Sequence, residues 1–231
     1  MSNILCSSTF FGVFISIIGY ELGLFLKKTF KKAIFNPLLI SIIFVIVVLL
    51  LFHVDYGSYN NGAKFLSYLL TPATVCLAIP LYEQLDLLKQ NFKAIIIGIV
   101  SGVLTSLGCV FLFSLLFHFS HNQYVTLLPK SITTAIGMGI SEELGGIVTI
   151  TVAVIIVTGV LGNIIAETAC KIFHIEEPIA KGIAIGSAAH AIGTAKAMEM
   201  GEIEGAMSSL AIAVAGLLTV VGASIFANFI H

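Results

Sequence analysis

The run AIIIGIVSGVLTSLGCVFLFSLLF, residues 94–117, decides the fold. It contains no charged residue, and it exceeds the roughly 20 apolar residues that cross a bilayer core as a helix. In hydrocarbon every backbone N–H and C=O must be paired within the protein, and a helix does this by itself. Working outward, uninterrupted apolar runs occupy residues 10–26, 37–52, 147–169 and 207–230. Three further runs, 65–81, 127–140 and 182–198, are apolar but interrupted by proline, glycine, hydroxyl and charged residues. The whole chain agrees: hydrophobic residues make up 58% and charged residues 10%, with a mean hydropathy of +1.09. A soluble domain usually carries about 25% charged residues.

The expected architecture is all-α: a polytopic membrane protein in which residues 1–231 form a single transmembrane domain. The formal net charge of −1 and the absence of arginine exclude the basic face that a nucleic-acid partner needs. The first apolar run follows no basic segment and precedes no small-residue cleavage site, so it is expected to be a mature helix. Cys6, Cys76, Cys109 and Cys170 are scattered, which favours packing over a disulfide framework or a metal site. Lysines enrich cytoplasmic loops. Placing Lys27, Lys28, Lys31, Lys32, Lys89, Lys93, Lys171 and Lys181 inside gives about seven transmembrane helices plus one re-entrant segment, at 127–140. Residues 67–82 align with 182–197 at a separation of 115, which suggests an inverted repeat of 10–118 and 127–231 with broken helices. The alternative is that any two polytopic halves align by helix spacing.

The candidate chemistry lies in the interrupted runs. In Gly186-Ser-Ala-Ala-His-Ala-Ile-Gly-Thr194 the glycines permit unwinding, while Ser187, His190, Thr194 and the following Lys196 offer hydroxyls and charge. Ionisable residues inside spans point to function. Small residues also let helices pack closely, and His190 can equally be an interhelical hydrogen-bonding residue. Pro129-Lys-Ser-Ile-Thr-Thr134 adds Ser131, Thr133 and Thr134, with Lys130 at the entrance; the other reading is a helix start with a capping hydroxyl. Thr71-Pro-Ala-Thr74 contributes Thr74, or is only a proline kink. Glu167 lies inside a span, with Asn163 one turn before it on the same face. Either His190 or Glu167 is a candidate proton carrier. Glu21 is read as a neighbour of the lysine loop, and His53, His118, His121 and His174 as residues at span ends. Together, Ser131, Thr133, Thr134, Ser187, His190, Thr194, Lys196 and Thr74 form a candidate site for a small anion. No GxSxG, HExxH or P-loop pattern occurs, so neither an enzyme nor a cofactor is expected.

The ordered motifs Pro129-Lys-Ser-Ile-Thr-Thr134, Leu144-Gly-Gly146, Glu177-Pro-Ile-Ala-Lys-Gly182 and Gly186-Ser-Ala-Ala-His-Ala-Ile-Gly-Thr-Ala-Lys196, with Thr71-Pro-Ala-Thr74 and Ile79-Pro-Leu-Tyr82, resemble the LrgB/CidB family of bacterial membrane proteins. The resemblance covers nearly the whole chain. It departs from the family's usual pattern at Lys181 and Lys196, where arginine is common. It also departs at Ala189, Ala135 and Thr71, where serine, proline and an acidic residue are common. Family membership would imply the bacterial cell membrane and one of two activities. The first is transport of a short monocarboxylate such as pyruvate, lactate, glycolate or glycerate, by a secondary carrier for which proton coupling is one option. The alternative is holin- or antiholin-like control of murein hydrolase activity and cell lysis, acting through membrane assembly. The implied partners are a small carboxylate anion and a small LrgA/CidA-like membrane protein; composition adds the lipid bilayer, and the size of the chain and the habit of carriers generally add a second copy of the chain.

Overall fold

The computed structural model describes residues 10–30, 35–76 and 78–230, with the backbone alone for residues 70, 71, 74, 80 and 81. Among the described residues every regular element is a helix. The chain divides into two compact units, Met1–Cys76 and Leu77–His231.

The first unit holds α1 (Phe11–Phe30), α2 (Pro37–Leu51), α3 (Tyr56–Ser67) and α4 (Leu70–Cys76). Asn36 starts α2 by accepting the N–H groups of Leu38 and Leu39 at 2.9 and 3.2 Å, and Pro37 takes the first helical position. Asp55 caps α3 in the same way, through Gly57 and Ser58. α1 packs on both α2 and α3. Gly12 makes that approach possible, because a Cβ there would stand in the backbone of Tyr59 and Ala63. Ser16 then bonds the Tyr59 hydroxyl at 2.8 Å. Glu21 is exposed on α1. Lys31 and Lys32, on which the reading of the lysine loop depends, lie outside the described residues.

The second unit holds α5 (Ala78–Glu83), α6 (Leu85–Leu116), α7 (His121–Leu127), α8 (Thr134–Glu143), α9 (Val148–Ile172), α10 (Pro178–Met200) and α11 (Glu202–Phe226), closed by a 3₁₀ turn, Ala227–Phe229. α10 packs against α6, α9 and α11. Buried Ile95, Ile99, Val103, Leu107 and Val110 recur at helical spacing on α6. They meet Tyr124, Val125 and Leu128 around α7 and Met207, Ala211, Ala215 and Ala223 on α11. The Tyr124 hydroxyl donates to the Phe226 carbonyl at 2.9 Å, tying α7 to the end of α11.

Among the described residues, Leu85–Leu116, Val148–Ile172 and Glu202–Phe229 are long and apolar enough to cross a membrane, and Pro37–Leu51 is apolar but shorter. This is an all-α, polytopic membrane protein. The run at 127–140 is divided between α7 and α8, each shorter than the roughly 20 residues of a span. The interrupted run at 65–81 is also divided, α4 falling in one unit and α5 in the other.

Histidine ends three of these helices. His53, His118 and His174 have φ of 50°, 53° and 53°, a left-handed conformation usually given to glycine or asparagine. After each, the next N–H reaches back to the carbonyl five residues before it: Val54 to Leu49, Phe119 to Ser114 and Ile175 to Cys170, at 2.8–3.0 Å. Gly145, with φ of 78°, ends α8 likewise. These histidines are therefore helix terminators, a more specific role than residence at the ends of spans.

Candidate functional site

α10 is broken where the sequence places its polar strip, but the break is not at the glycines. His190 alone is non-helical within α10, with φ of 42° and ψ of −141°. Gly186 and Gly193 stay helical and serve close packing. A Cβ on Gly186 would lie 2.5 Å from the Ser208 carbonyl of α11 and 2.8 Å from the Ala211 Cβ. The His190 ring is buried against α9, where Nε2–H donates to the Ile155 carbonyl at 3.0 Å. Gly159 makes room for the ring, since a Cβ there would meet the ring's Cε1 at 2.7 Å. Thr194 donates to the His190 carbonyl at 3.1 Å and shares a 2.6 Å bond with Ser208 of α11. Both residues thus turn into the helix bundle, and neither lines the two cavities described below.

α9 holds the second half of α10 with one face. Ile155, Gly159, Asn163 and Glu167 are four residues apart, so they share a side of the helix. Asn163 donates to the Ile192 carbonyl at 2.7 Å. Glu167 pairs with Lys196 at 2.6 Å, and Glu199 approaches the same ammonium at 3.3 Å. Lys196, expected in the anion site, is instead bracketed by two carboxylates, and Glu167 is its counter-ion. The two carboxylates border a mixed-charge cavity of about 490 Å³, lined also by Lys171, His174, Lys181 and Glu204.

The other cavity, about 690 Å³, lies between α6, α10 and the α7–α8 connection. Ser131 and Ser187 line it, together with Lys130, Ser106 and Cys109. Ser131 Oγ accepts from Ser106 at 3.0 Å and from Lys130 Nζ at 2.9 Å. With both lone pairs occupied, its own hydrogen has no acceptor among the described residues. Lys130 spends one of three hydrogens on Ser131, and among the described residues no carboxylate lies within ion-pair distance of it. Ser187 is 5% exposed, and its Oγ, itself buried, has no hydrogen-bond partner among the described residues. The cavity wall therefore offers the unused hydrogens of Lys130 and Ser131 and, among the described residues, a cation with no carboxylate partner, a set with the chemistry an anion site needs.

Of the remaining expected residues, Thr133 and Thr134 begin α8, half-buried and outside this cavity. Thr133 occupies the capping position without making a side-chain cap bond. The side chain of Thr74 lies outside the described residues. The structure thus brings Ser131 and Ser187 to one cavity and leaves His190, Thr194 and Lys196 elsewhere. Ser106, which supports Ser131, was not legible in the sequence, because an uncharged helix presents many hydroxyls equally. A second cluster also escaped it. Thr151, fully buried, shares its one hydroxyl hydrogen between the Thr126 carbonyl at 2.9 Å and Ser141 Oγ at 2.7 Å, and Thr126 Oγ1 accepts from the Ile147 N–H at 2.8 Å. This knot fastens α7, α8 and α9 together. Among the described residues, no group of three histidine, cysteine or acidic side chains could hold a metal ion.

The LrgB-like family model matches residues 16–229. "Antiholin-like protein LrgB" of Bacillus subtilis (strain 168) is 36% identical over 224 residues, covering 96% of this chain and 97% of that protein. The protein of the same name in Bacillus cereus (strain B4264) is 39% identical over 222 residues, covering 96% of each. No solved structure matches. The family is not one of enzymes. The helical architecture, the family model and relatives aligned nearly end to end agree: this chain belongs to the LrgB-like family.

Proposed function

We propose that the protein is an antiholin-like regulator in the bacterial cell membrane, restraining murein hydrolase activity and lysis through assembly with a small LrgA/CidA-like membrane protein. The observation that carries this reading is the near end-to-end similarity to relatives named antiholin-like. Exposed apolar side chains such as Leu104, Leu112, Leu161 and Leu217 are consistent with it, because they give the spans faces for lipid or for other helices. Dye-loaded liposomes test it. The protein alone should release no dye, and it should slow release caused by the small companion protein. Release by the protein alone, or unchanged release by the companion, would overturn the reading.

A second reading, the secondary carrier of a short monocarboxylate, is favoured by one feature: the unused donors of Lys130 and Ser131 at one corner of the cavity. In this reading the carboxylate sits at Lys130, because Lys196 already has Glu167 and Glu199 as partners. Proteoliposomes would accumulate labelled pyruvate, lactate, glycolate or glycerate faster than empty liposomes, and Lys130→Gln would reduce that rate at least tenfold. Uptake equal to empty liposomes for all four acids would sink it. The two readings are compatible, since anion flux across the membrane can itself alter lysis.

A further inference from the structure

We infer that α7–α8 and α10 are two re-entrant helical hairpins entering the membrane from opposite faces, and that their tips meet at mid-span as the barrier of an anion path, with Lys130 reached from the α10 face. This rests on the carrier reading above and adds the route to its site.

The reversal of α10 at His190 is the first ground. A Cβ on Gly193 would lie 3.2 Å from the Ile185 carbonyl oxygen. Eight residues of continuous helix would separate the two by about 12 Å. Farther from His190, a Cβ on Gly182 would lie 2.5 Å from the Glu204 carbonyl oxygen, and one on the adjoining Gly205 would lie 2.8 Å from Met198 Cγ. Residues 182 and 198 thus flank one point of α11, where a continuous helix would hold them about 24 Å apart. Ile185 and Ala197 likewise pack in one cluster with Ala166 of α9, and Lys181 and Met200 line one cavity. α10 is therefore two antiparallel arms with His190 at the tip and both ends on one face.

α7 and α8 make the other hairpin. A Cβ on Gly137 would lie 3.4 Å from the Pro129 carbonyl oxygen, and Thr151 joins the Thr126 carbonyl to Ser141. Both pairings centre near Thr133, which is the tip. The directions are opposite. The first arm of α10 runs with α6, Ile183 meeting Gly98 and Ser187 meeting Gly102. α7 runs against α6, Tyr124 contacting Phe111 and Ser131 bonding Ser106.

Three helices place the two tips at one level. On α6 the hairpins are met at Gly102 and Ser106, about 6 Å apart and near the middle of the apolar run 94–117. On α11 they are met at Ala211, beside Gly186, and at Gly216, beside Ile136. On α9 Ile155 touches both, its carbonyl accepting from His190 and its Cδ1 lying against Gly137. Lys130 and Ser131 stand at this junction. The cavity at Lys130 extends to Asn91 and Glu177, at the base of α10. Toward the other face, buried Tyr124, Val125, Leu128 and Ile132 of the first hairpin fill the core.

The test uses the full chain in right-side-out and inverted membrane vesicles. With the four cysteines changed to serine, the exposed positions Glu176→Cys and Glu202→Cys should react with a membrane-impermeant maleimide from one face alone. Asn122→Cys and Glu143→Cys, also exposed, should react from the opposite face alone. Glu176→Cys and Glu202→Cys on different faces would make α10 a span, and any other distribution would equally overturn the opposed hairpins. The barrier is read with Cys109, exposed on the cavity near Lys130, as the one remaining thiol. An anionic, impermeant methanethiosulfonate should modify it at least tenfold faster from the face that labels Glu176→Cys. Equal rates from both faces, a faster rate from the other face, or no reaction from either would overturn the barrier. Uptake of labelled acids by the same chain is a separate readout: its absence beside the expected labelling would overturn the carrier reading and leave the hairpins standing.

Discussion

Changing His190 to glycine and to alanine should reverse the usual helix ranking. In an ordinary helix interior glycine is about 1 kcal/mol worse than alanine. His190 holds φ of 42° within α10, a region that L side chains rarely adopt and glycine enters freely. Strain of this kind amounts to about 1–3 kcal/mol per residue. Both variants lose the ring, its 3.0 Å bond to the Ile155 carbonyl and its packing on Gly159, so those losses cancel in the comparison. What remains is the backbone. His190→Gly should be more stable than His190→Ala by about 1–2 kcal/mol, a swing of about 2–3 kcal/mol from the helix expectation. Both should fall below the native protein. The assay is reversible unfolding of purified protein in mixed micelles, followed by circular dichroism, with all three proteins at one detergent composition. An alanine variant as stable as the glycine variant, or more so, would mean that α10 is not kinked at His190. The division of its side chains between cavity and bundle would then need another cause.

Other outcomes follow from the same geometry. His118→Gly and His174→Gly should each raise unfolding stability by about 1 kcal/mol, because glycine adopts the left-handed terminator without strain, and valine at either position should lower it. Thr151→Val should cost about 1–2 kcal/mol in the same unfolding assay, since it leaves Ser141 Oγ and the Thr126 carbonyl without a donor in the knot. Ser187→Ala should leave stability unchanged or raise it by about 1 kcal/mol in that assay, because the buried hydroxyl it removes has no partner among the described residues.

Apolar run length and composition made the membrane fold legible, because the requirement to pair every backbone group in hydrocarbon leaves few alternatives to helices. The interruption at 127–140 was legible too, since Pro129, Lys130 and Ser131 cannot extend an apolar span cheaply. The break in α10 was expected in the right strip and attributed to the wrong residues. Glycine permits a left-handed backbone, but Gly186 is needed for contact with Ser208 and so is held helical, and the strain passes to His190. The positive φ of His53, His118 and His174 was hidden for the same reason: a terminator is sought at glycine, and among the described residues only Gly145 ends its helix at positive φ. Lys196 and Glu167 were each singled out, but a charge pair between helices cannot be read from separation along the chain. Nothing in the sequence joins Ser106 to Ser131 across two elements.

The most direct test of the account is the rate of autolysis in bacteria that lack their own LrgB-family gene. Cells carrying this chain together with a small LrgA/CidA-like protein should lose turbidity more slowly than cells carrying the small protein with an unrelated polytopic membrane protein. An equal or faster loss, with the chain found intact in the cell membrane, would contradict the antiholin-like function proposed for it.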